Sequence, residues 1–585
     1  MQRLTRREFL RISALTAGTV AISTGLSGCF SSDSDSDSDN DRAVGFQHGV
    51  ASGDPLQNRV LLWTRITPDD DDSSDIPVGW EVATDAEFSN LVHSGDTMAR
   101  AANDYTVKVD VLDLQAGQTY YYRFKSEGDT VSPAGLTRTL PEGAVSQVRL
   151  AVLSCSNYPA GYFNVYAAAA QEAELDAVVH LGDYIYEYEQ GGYASGDAEA
   201  LGRTLPADND TELLTLTDYR KRYALYHTDT DLQALHAAAP FIAVWDDHEV
   251  ANDAWEDGAE NHTPGEEGDF TARKTAALQA YFEWMPVRPA SEDDQQTIYR
   301  SFQFGNLVSL YMLDTRIIGR DEQLSYANYL TGDPENPINA AQFEEDVTNP
   351  NRTLLGAEQL AWLQNQMATS TATWQVLGQQ VLMGRMTLPA ELLLSIQNPD
   401  PEVLLPLFEE LATIKARMLA NDPTLTPEER ARLDAELPYN LDAWDGYYHE
   451  REVVLASVRE LDKNLVVLAG DTHNAWGNDL KDMAGNAVGV EFATASVTSP
   501  GLEDYLGLPE DAVPGAEEAL QTLIDDLQYT NINQRGYLLI TLTLNEARAD
   551  WRYVDTIKAT SYSLDASRRM SLKTTPATRQ IQAVS

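Results

Sequence analysis

Ala177-Val178-Val179-His180-Leu181-Gly182-Asp183-Tyr184-Ile185-Tyr186 begins as a β-branched apolar run, turns at a glycine, and delivers a carboxylate and a phenol directly afterwards. A short apolar run closed by a turn is the pattern of a buried strand. In sheets covered by helices, ligand-binding groups lie just past the strand C-termini. The arrangement recurs along the chain. Val148 to Ser154 is followed by Cys155, and Phe241 to Trp245 by Asp246-Asp247-His248-Glu249. Leu307 to Leu313 is followed by Asp314-Thr315-Arg316, and Asn464 to Ala469 by Gly470-Asp471-Thr472-His473-Asn474. Trp374 to Gly378 is a further strand, and helical stretches such as Asn164 to Ala173 lie between many of these runs. Fully buried strands alternating with helices predict an α/β domain.

Working outward, this domain is expected over 147–556. A leucine- and glutamate-rich stretch at about 389–437 has helical periodicity and reads as an insertion. Upstream, 44–141 holds short β-branched and aromatic runs, such as Val60-Leu61-Leu62-Trp63 and Tyr120-Tyr121-Tyr122, separated by turns. That spacing predicts a small β-sandwich. Residues 557–585 read as a polar, poorly periodic C-terminal tail.

The chain has 585 residues and a hydrophobic fraction of 43%, enough for sizeable cores. Its 41 basic and 91 acidic residues leave a formal net charge of -50. Such a surface argues against nucleic acid as a specific partner, because phosphate backbones demand a positive face. It is compatible with a salty or calcium-containing exterior. A phosphate substrate would need local positive charge, which bound metal cations supply.

The first residues read as an address. Thr5-Arg6-Arg7-Glu8-Phe9-Leu10 precedes a weakly apolar stretch from Ile12 to Leu26 and resembles a twin-arginine export signal, implying the twin-arginine machinery as a partner. Leu26-Ser27-Gly28-Cys29 is similar to a lipoprotein cleavage box in which Cys29 is acylated. The alternative is an ordinary export signal with an incidental cysteine. Residues 1–29 are thus expected to be a signal, and the Ser/Asp alternation of 30–43 an extended linker. The expected location is periplasmic or cell-surface, with membrane contact only through a lipid. Of the 2 cysteines, the other is Cys155, a lone thiol in an exported protein.

Five strand ends therefore send carboxylates, imidazoles, a phenol and a thiol toward one edge. Only 9 histidines occur in the chain, and His248 and His473 both sit beside acidic residues at such ends. Convergent carboxylates and imidazoles are what a pair of multivalent metal ions requires. Gly182-Asp183-Tyr184-Ile185-Tyr186, Asp247-His248-Glu249 and Gly470-Asp471-Thr472-His473 resemble the calcineurin-like metallophosphoesterase blocks. Cysteine in the first block, and aspartate in place of an asparagine and of a histidine, match its PhoD branch of alkaline phosphatase/phosphodiesterases. Phe46 to Pro55 and Leu61 to Arg65 resemble that branch's N-terminal domain, so the resemblance spans nearly the whole chain after the signal.

The resemblance implies an α/β metallophosphoesterase sandwich of α/β/β/α layers behind a small all-β sandwich. It implies Fe(3+) on Cys155, Asp183, Tyr186 and His473, with Asp183 bridging to Ca(2+), and Asp247 with Asp471 or Asn474 completing the calcium site. Asp246 and Asp253 are alternatives in that sphere. Anionic thiolate, phenolate and carboxylate suit a highly charged cation, and oxygen ligands suit calcium. The implied reaction is hydrolysis of phosphate mono- or diesters by a metal-activated water. His248 is the candidate catalytic group at the leaving alcohol. Arg316 is a second candidate, for the phosphate, against the alternative of an arginine salt-bridged in an acidic protein. Two competing functions are a surface-anchored nucleotidase and a degenerate enzyme serving as a cell-surface binding protein.

Overall fold

The structure is a computed structural model that describes residues 23–24, 43–70, 72–126, 130–291, 294–333 and 336–584. The twin arginines and Cys29 lie outside the described residues. Among the described residues no helix is long and apolar enough to cross a membrane.

The longer N-terminal strands come first: β1 (Val50–Gly53), β2 (Val60–Arg65), β3 (Ile76–Ala83), β4 (Leu91–Ala99), β5 (Thr106–Val111), β6 (Thr119–Ser126) and β7 (Gly135–Arg138). The α/β part follows with β8 (Gln147–Leu153), β9 (Ala177–His180), β10 (Phe241–Ala243), β11 (Arg300–Phe304), β12 (Val308–Met312), β13 (Trp374–Gly378) and β14 (Leu465–Ala469). It ends with β15 (Ala475–Lys481), β16 (Ala487–Ala493), β17 (Leu527–Asn531), β18 (Gly536–Thr543), β19 (Ala547–Tyr553), β20 (Met570–Thr574) and β21 (Gln582–Ala583).

These strands build two large mixed sheets and a smaller one. In the first, β10, β9 and β8 are parallel neighbours, and β18 to β20 continue it antiparallel. In the second, β12, β13, β14 and β16 are parallel, flanked by antiparallel β11 and β15. Period-two alternation with both faces buried explains the unbroken apolar runs. Leu310, Met312, Val376, Val466 and Leu468 share one core with Val152, Val179 and Ile242 of the first sheet. Tyr311, Leu313, Leu377 and Val467 point the other way, into a core with helical Leu363, Leu411, Val454 and Leu520.

The N-terminal region is sheet-rich. Val60, Leu62 and Val109 pack against Val78, Trp80, Tyr122 and Phe124 of the sheet β7-β6-β3-β4. One of its two layers is not separate, however. β1 pairs in parallel with β10 through Gly53 and Phe241, so β5-β2-β1 extend the first large sheet. A Cβ at Gly53 would lie 2.1 Å from the Pro286 carbonyl oxygen, so this seam needs glycine. Asp54, fully buried, accepts from Arg300 Nη2 at 2.7 Å and from the Arg288 amide at 2.7 Å. Arg300 also donates to the Ala243 carbonyl at 2.7 Å, at the end of β10.

The stretch expected to be an insertion holds Ala390–Ile396, Pro401–Leu419 and Pro427–Asp434 as helices, closed by a two-strand ladder, Thr387–Pro389 against Glu436–Pro438. The expectation of a polar tail at 557–585 is corrected. β20 pairs with β19 and β21 with β20, and Leu572 enters the core. Only alternate residues of this segment are apolar enough to bury, which hid the strand in a polar composition.

Two outcomes follow from these contacts. Arg300→Met leaves the Asp54 carboxylate buried without its ion pair, and should destabilise the fold by about 3 kcal/mol in equilibrium unfolding. His180 is buried against the Tyr166 hydroxyl at 2.8 Å, and burial lowers its pKa to about 3. It binds its proton more readily when unfolded, so its contribution is complete above about pH 6.5 and is lost as pH falls toward 3. His180→Phe should remove roughly 1.4 kcal/mol per pH unit of slope in that window; an unchanged slope would contradict the assignment.

Candidate metal centre

The parallel strands of both sheets present their C-terminal ends to one region, and the backbone there is strained to aim side chains inward. Cys155 follows β8 with φ 62°, Asp183 follows β9 with φ 52°, and Asp471 and His473 follow β14 with φ 65° and 62°. Non-glycine residues in the left-handed region are uncommon, and clusters of them mark functional sites. Gly182, with φ 104°, lets β9 turn where a Cβ would lie 2.4 Å from Asp246 Cβ.

Three overlapping donor groups result, each with ligand atoms within 4.8 Å of one another: Cys155, Asp183 and His473; Asp183, Asp247 and His248; and Asp246, Asp247 and Asp471. Asp183 is common to the first two, and Asp247 to the last two. Tyr186 joins the first group: its hydroxyl donates to Asp183 Oδ2 at 3.0 Å and lies 3.2 Å from His473 Nε2. Ser499 Oγ donates to the same phenol oxygen at 2.6 Å.

A multivalent cation fits these residues. Asp183 Oδ1 and Asp246 Oδ2 are buried and have no hydrogen-bond partner, which carboxylate oxygens avoid at a cost of several kcal/mol unless a cation meets them. Burial, and after it the Asp183 charge, pushes the Cys155 thiol pKa well up, so this sulfur becomes an anionic ligand only against a strong positive charge. His473 presents Nε2 to the group while Nδ1 lies 2.8 Å from the Pro500 carbonyl, the usual way to fix a ligating imidazole.

The remaining sequence candidates divide. His248 Nδ1 lies 2.7 Å from Glu187 Oε2, which leaves Nε2 for the donor cluster. Burial would lower the His248 pKa, but Asp183, Glu187 and Asp247 outweigh it and raise it. Arg316 is fully buried and spent on carboxylates: Nε donates to Asp246 at 2.5 Å, Nη1 to Asp442 at 2.8 Å, and Nη2 to Asp471. It has the salt-bridged role, and the alternative of a phosphate contact is not supported. Asn474 follows His473 directly and has its amide engaged by backbone. Its Oδ1 accepts from the Leu502 amide at 3.0 Å and its Nδ2 donates to the Thr472 carbonyl at 2.5 Å, so the amide holds a loop. Asp246 is buried and is a member of the third group, and half-buried Asp253 donates its amide to Asp247 Oδ2 at 2.6 Å.

Sequence reading missed several participants. Glu187 accepts from His248, from the Asn252 amide and from Asn261 Nδ2. It directly follows Tyr186, so its place in the strand-end block was an available signal. Glu249 takes the Asp183, Tyr184 and Asp246 amides, binding two strand-end loops together. Asp442 arrives from beyond the helical stretch to hold Arg316 and Arg320, and no local pattern marks it.

Residues 150–551 match the family model for PhoD-like phosphatase, and 31–141 match that for its N-terminal domain. The chain belongs to the PhoD-like phosphatase family. It is 36% identical to alkaline phosphatase D of Bacillus subtilis (strain 168) over 525 residues, covering 87% of this chain and 77% of the relative. A solved structure of PhoD superposes with a TM-score of 0.73 at 33% identity, covering 92% of each chain. As a PhoD-like phosphatase, the protein is a phosphoric ester hydrolase of the alkaline phosphatase kind.

Glu187 is the carboxylate that touches His248 without belonging to a donor group. Glu187→Gln should lower kcat by about 10- to 100-fold in steady-state assays while the unfolding midpoint stays in place. A fall in KM or stability alone, with kcat intact, would show that Glu187 has no part in positioning the imidazole.

Proposed function

We propose that this PhoD-like phosphatase is an exported, metal-dependent alkaline phosphatase/phosphodiesterase with a multinuclear centre of Fe(3+) and Ca(2+). The observation that carries it is the sharing of Asp183 and Asp247 among three donor groups, a bridging pattern that one cation alone would not need. Cys155, Asp183, Tyr186 and His473 are the iron set, being a thiol, a carboxyl, a phenol and an imidazole. The Asp246, Asp247 and Asp471 carboxylates offer oxygen only, as calcium prefers. The scaffold for these ends is the four-layer α/β/β/α arrangement, with an export signal at 1–29, a linker at 30–43, an N-terminal domain at 44–141 and a catalytic domain at 147–556. Cys29 is the point of lipid attachment.

Bound cations supply Lewis acidity toward the phosphoryl oxygens and acidify water, so that hydroxide is available at neutral or alkaline pH. The chain's own residues do the rest. His248 presents Nε2 beside Asp183 and Asp247 and holds a proton there for the departing alkoxide oxygen. Glu187 keeps the Nδ1 proton and the ring orientation. Arg316 offsets the mutual repulsion of Asp246, Asp247 and Asp471 so that all three can stay close. Ser499 holds the Tyr186 phenol, whose oxygen would join Asp183 and His473 in the iron set.

His473→Ala should lose bound iron and activity together while circular dichroism reports an intact fold. Removing calcium with a chelator should abolish activity and adding it back should restore it. Full activity with unaltered metal content by elemental analysis would sink the site assignment.

A further inference from the structure

Tyr188 and Tyr193 leave the loop that follows Tyr186, and Tyr505 ends the short helix Leu502–Tyr505. The Tyr193 ring stacks on Tyr186 at 5.9 Å and lies parallel to His248 within 11° at 6.5 Å. The Tyr188 ring lies 5.6 Å from Tyr193 and 5.5 Å from His248. The Tyr193 hydroxyl is 3.2 Å from His473 Nδ1, and the Tyr505 hydroxyl donates to it at 3.1 Å. Tyr505 is 54% exposed, and Tyr188 and Tyr193 are partly so. An aromatic wall thus begins at the metal donors, passes along His248 and ends in solvent. Core packing does not account for it, since its outer members are not in any core cluster.

The charges near this wall narrow what it can receive. Arg535 is paired with Glu503 at 2.8 Å, and Arg316 and Arg320 are held by Asp442. Glu260 approaches Asn252 Nδ2 at 3.2 Å, on the Glu187 side. Arg222, under the same loop, donates to the Tyr186 and Tyr188 carbonyls and pairs with no carboxylate among the described residues, but it is buried, as are Arg316 and Arg320, and the Arg535 side chain is only 11% exposed, so none of these four guanidiniums is open to an alcohol carrying its own negative charge. A flat, uncharged ring meets tyrosine faces, with which it stacks favourably.

We propose that Tyr188, Tyr193 and Tyr505 set specificity by stacking a ring carried on the alcohol portion of the ester, so that the preferred substrates are phosphate esters of uncharged, ring-bearing alcohols. The proposal rests on the reading above that His248 faces the leaving alcohol, because the wall borders that imidazole. These tyrosines touch the alcohol and leave the phosphoryl group to the metal donors.

The test uses the metal-loaded enzyme and three monoesters of closely similar leaving-group basicity: 2-phenylethyl phosphate, 2-cyclohexylethyl phosphate and ethyl phosphate, followed by phosphate release. The unaltered enzyme should favour the phenyl ester over the other two by roughly 10-fold in kcat/KM, chiefly through KM, the order of one ring-on-ring contact. Tyr505→Ala should shrink that preference to about 2-fold, and Tyr505→Trp should restore it. Equal rates for phenyl and cyclohexyl esters would overturn stacking as the basis. A preference that survives Tyr505→Ala together with Tyr188→Ala would overturn the wall as its location. If no ester is hydrolysed, the reaction assigned to His248 and the metal donors fails first, and this proposal falls with it.

Discussion

Asp183, Asp246, Asp247 and Asp471 are gathered in the interior with one guanidinium, that of Arg316, among the last three. Carboxylates this close in a low-dielectric setting repel strongly. Burial, followed by the charges of neighbouring carboxylates, raises the pKa of Asp246 and of Asp471 despite Arg316. One arginine does not balance four acids, and the remaining excess of negative charge suits a multivalent cation. The rest of the architecture serves this concentration of charge: strand ends from two sheets, left-handed backbone at four of the contributing residues, and a glutamate whose carboxylate ties two loops together.

Stability and function therefore pull in opposite directions at this centre. The same carboxylates that lower the stability of the metal-free fold are the candidate metal donors, and a ligand that bound only the native state there would stabilise it. Glu249, buried with its pKa raised to about 8 by burial and then by Asp183, is one more cost accepted to hold three loop amides in place.

Much of this was legible in the sequence because it follows a period. Continuous apolar runs marked the buried strands, and ligand-capable residues within five positions of each run marked the candidate site; Cys155, Asp183, Tyr186, Asp247, His248, Asp471 and His473 all converge. What was not legible lies where side-chain direction depends on loop conformation. Asn474 sits in the same motif as His473, yet its amide turns to the Leu502 backbone. Asp442 and Tyr193 reach the centre from loops with no apolar rhythm, and Tyr505 from the end of a four-residue helix. Arg316 could be placed at a strand end, but only geometry decides that its donors are consumed by carboxylates. The strand β20 escaped notice because Met570–Thr574 buries few of its side chains.

The pairing of β1 with β10, and of β18 to β21 with β8, has a temporal meaning. A single sheet uses strands from residue 23 to residue 583, and three of the ends that bear candidate metal donors emerge from its middle. A nascent chain cannot close that sheet until its last segment has left the ribosome. The end of β8 that carries Cys155 gains β18 as its neighbour only once residues 536–543 exist, so the geometry around that thiol is among the last features of the fold to set.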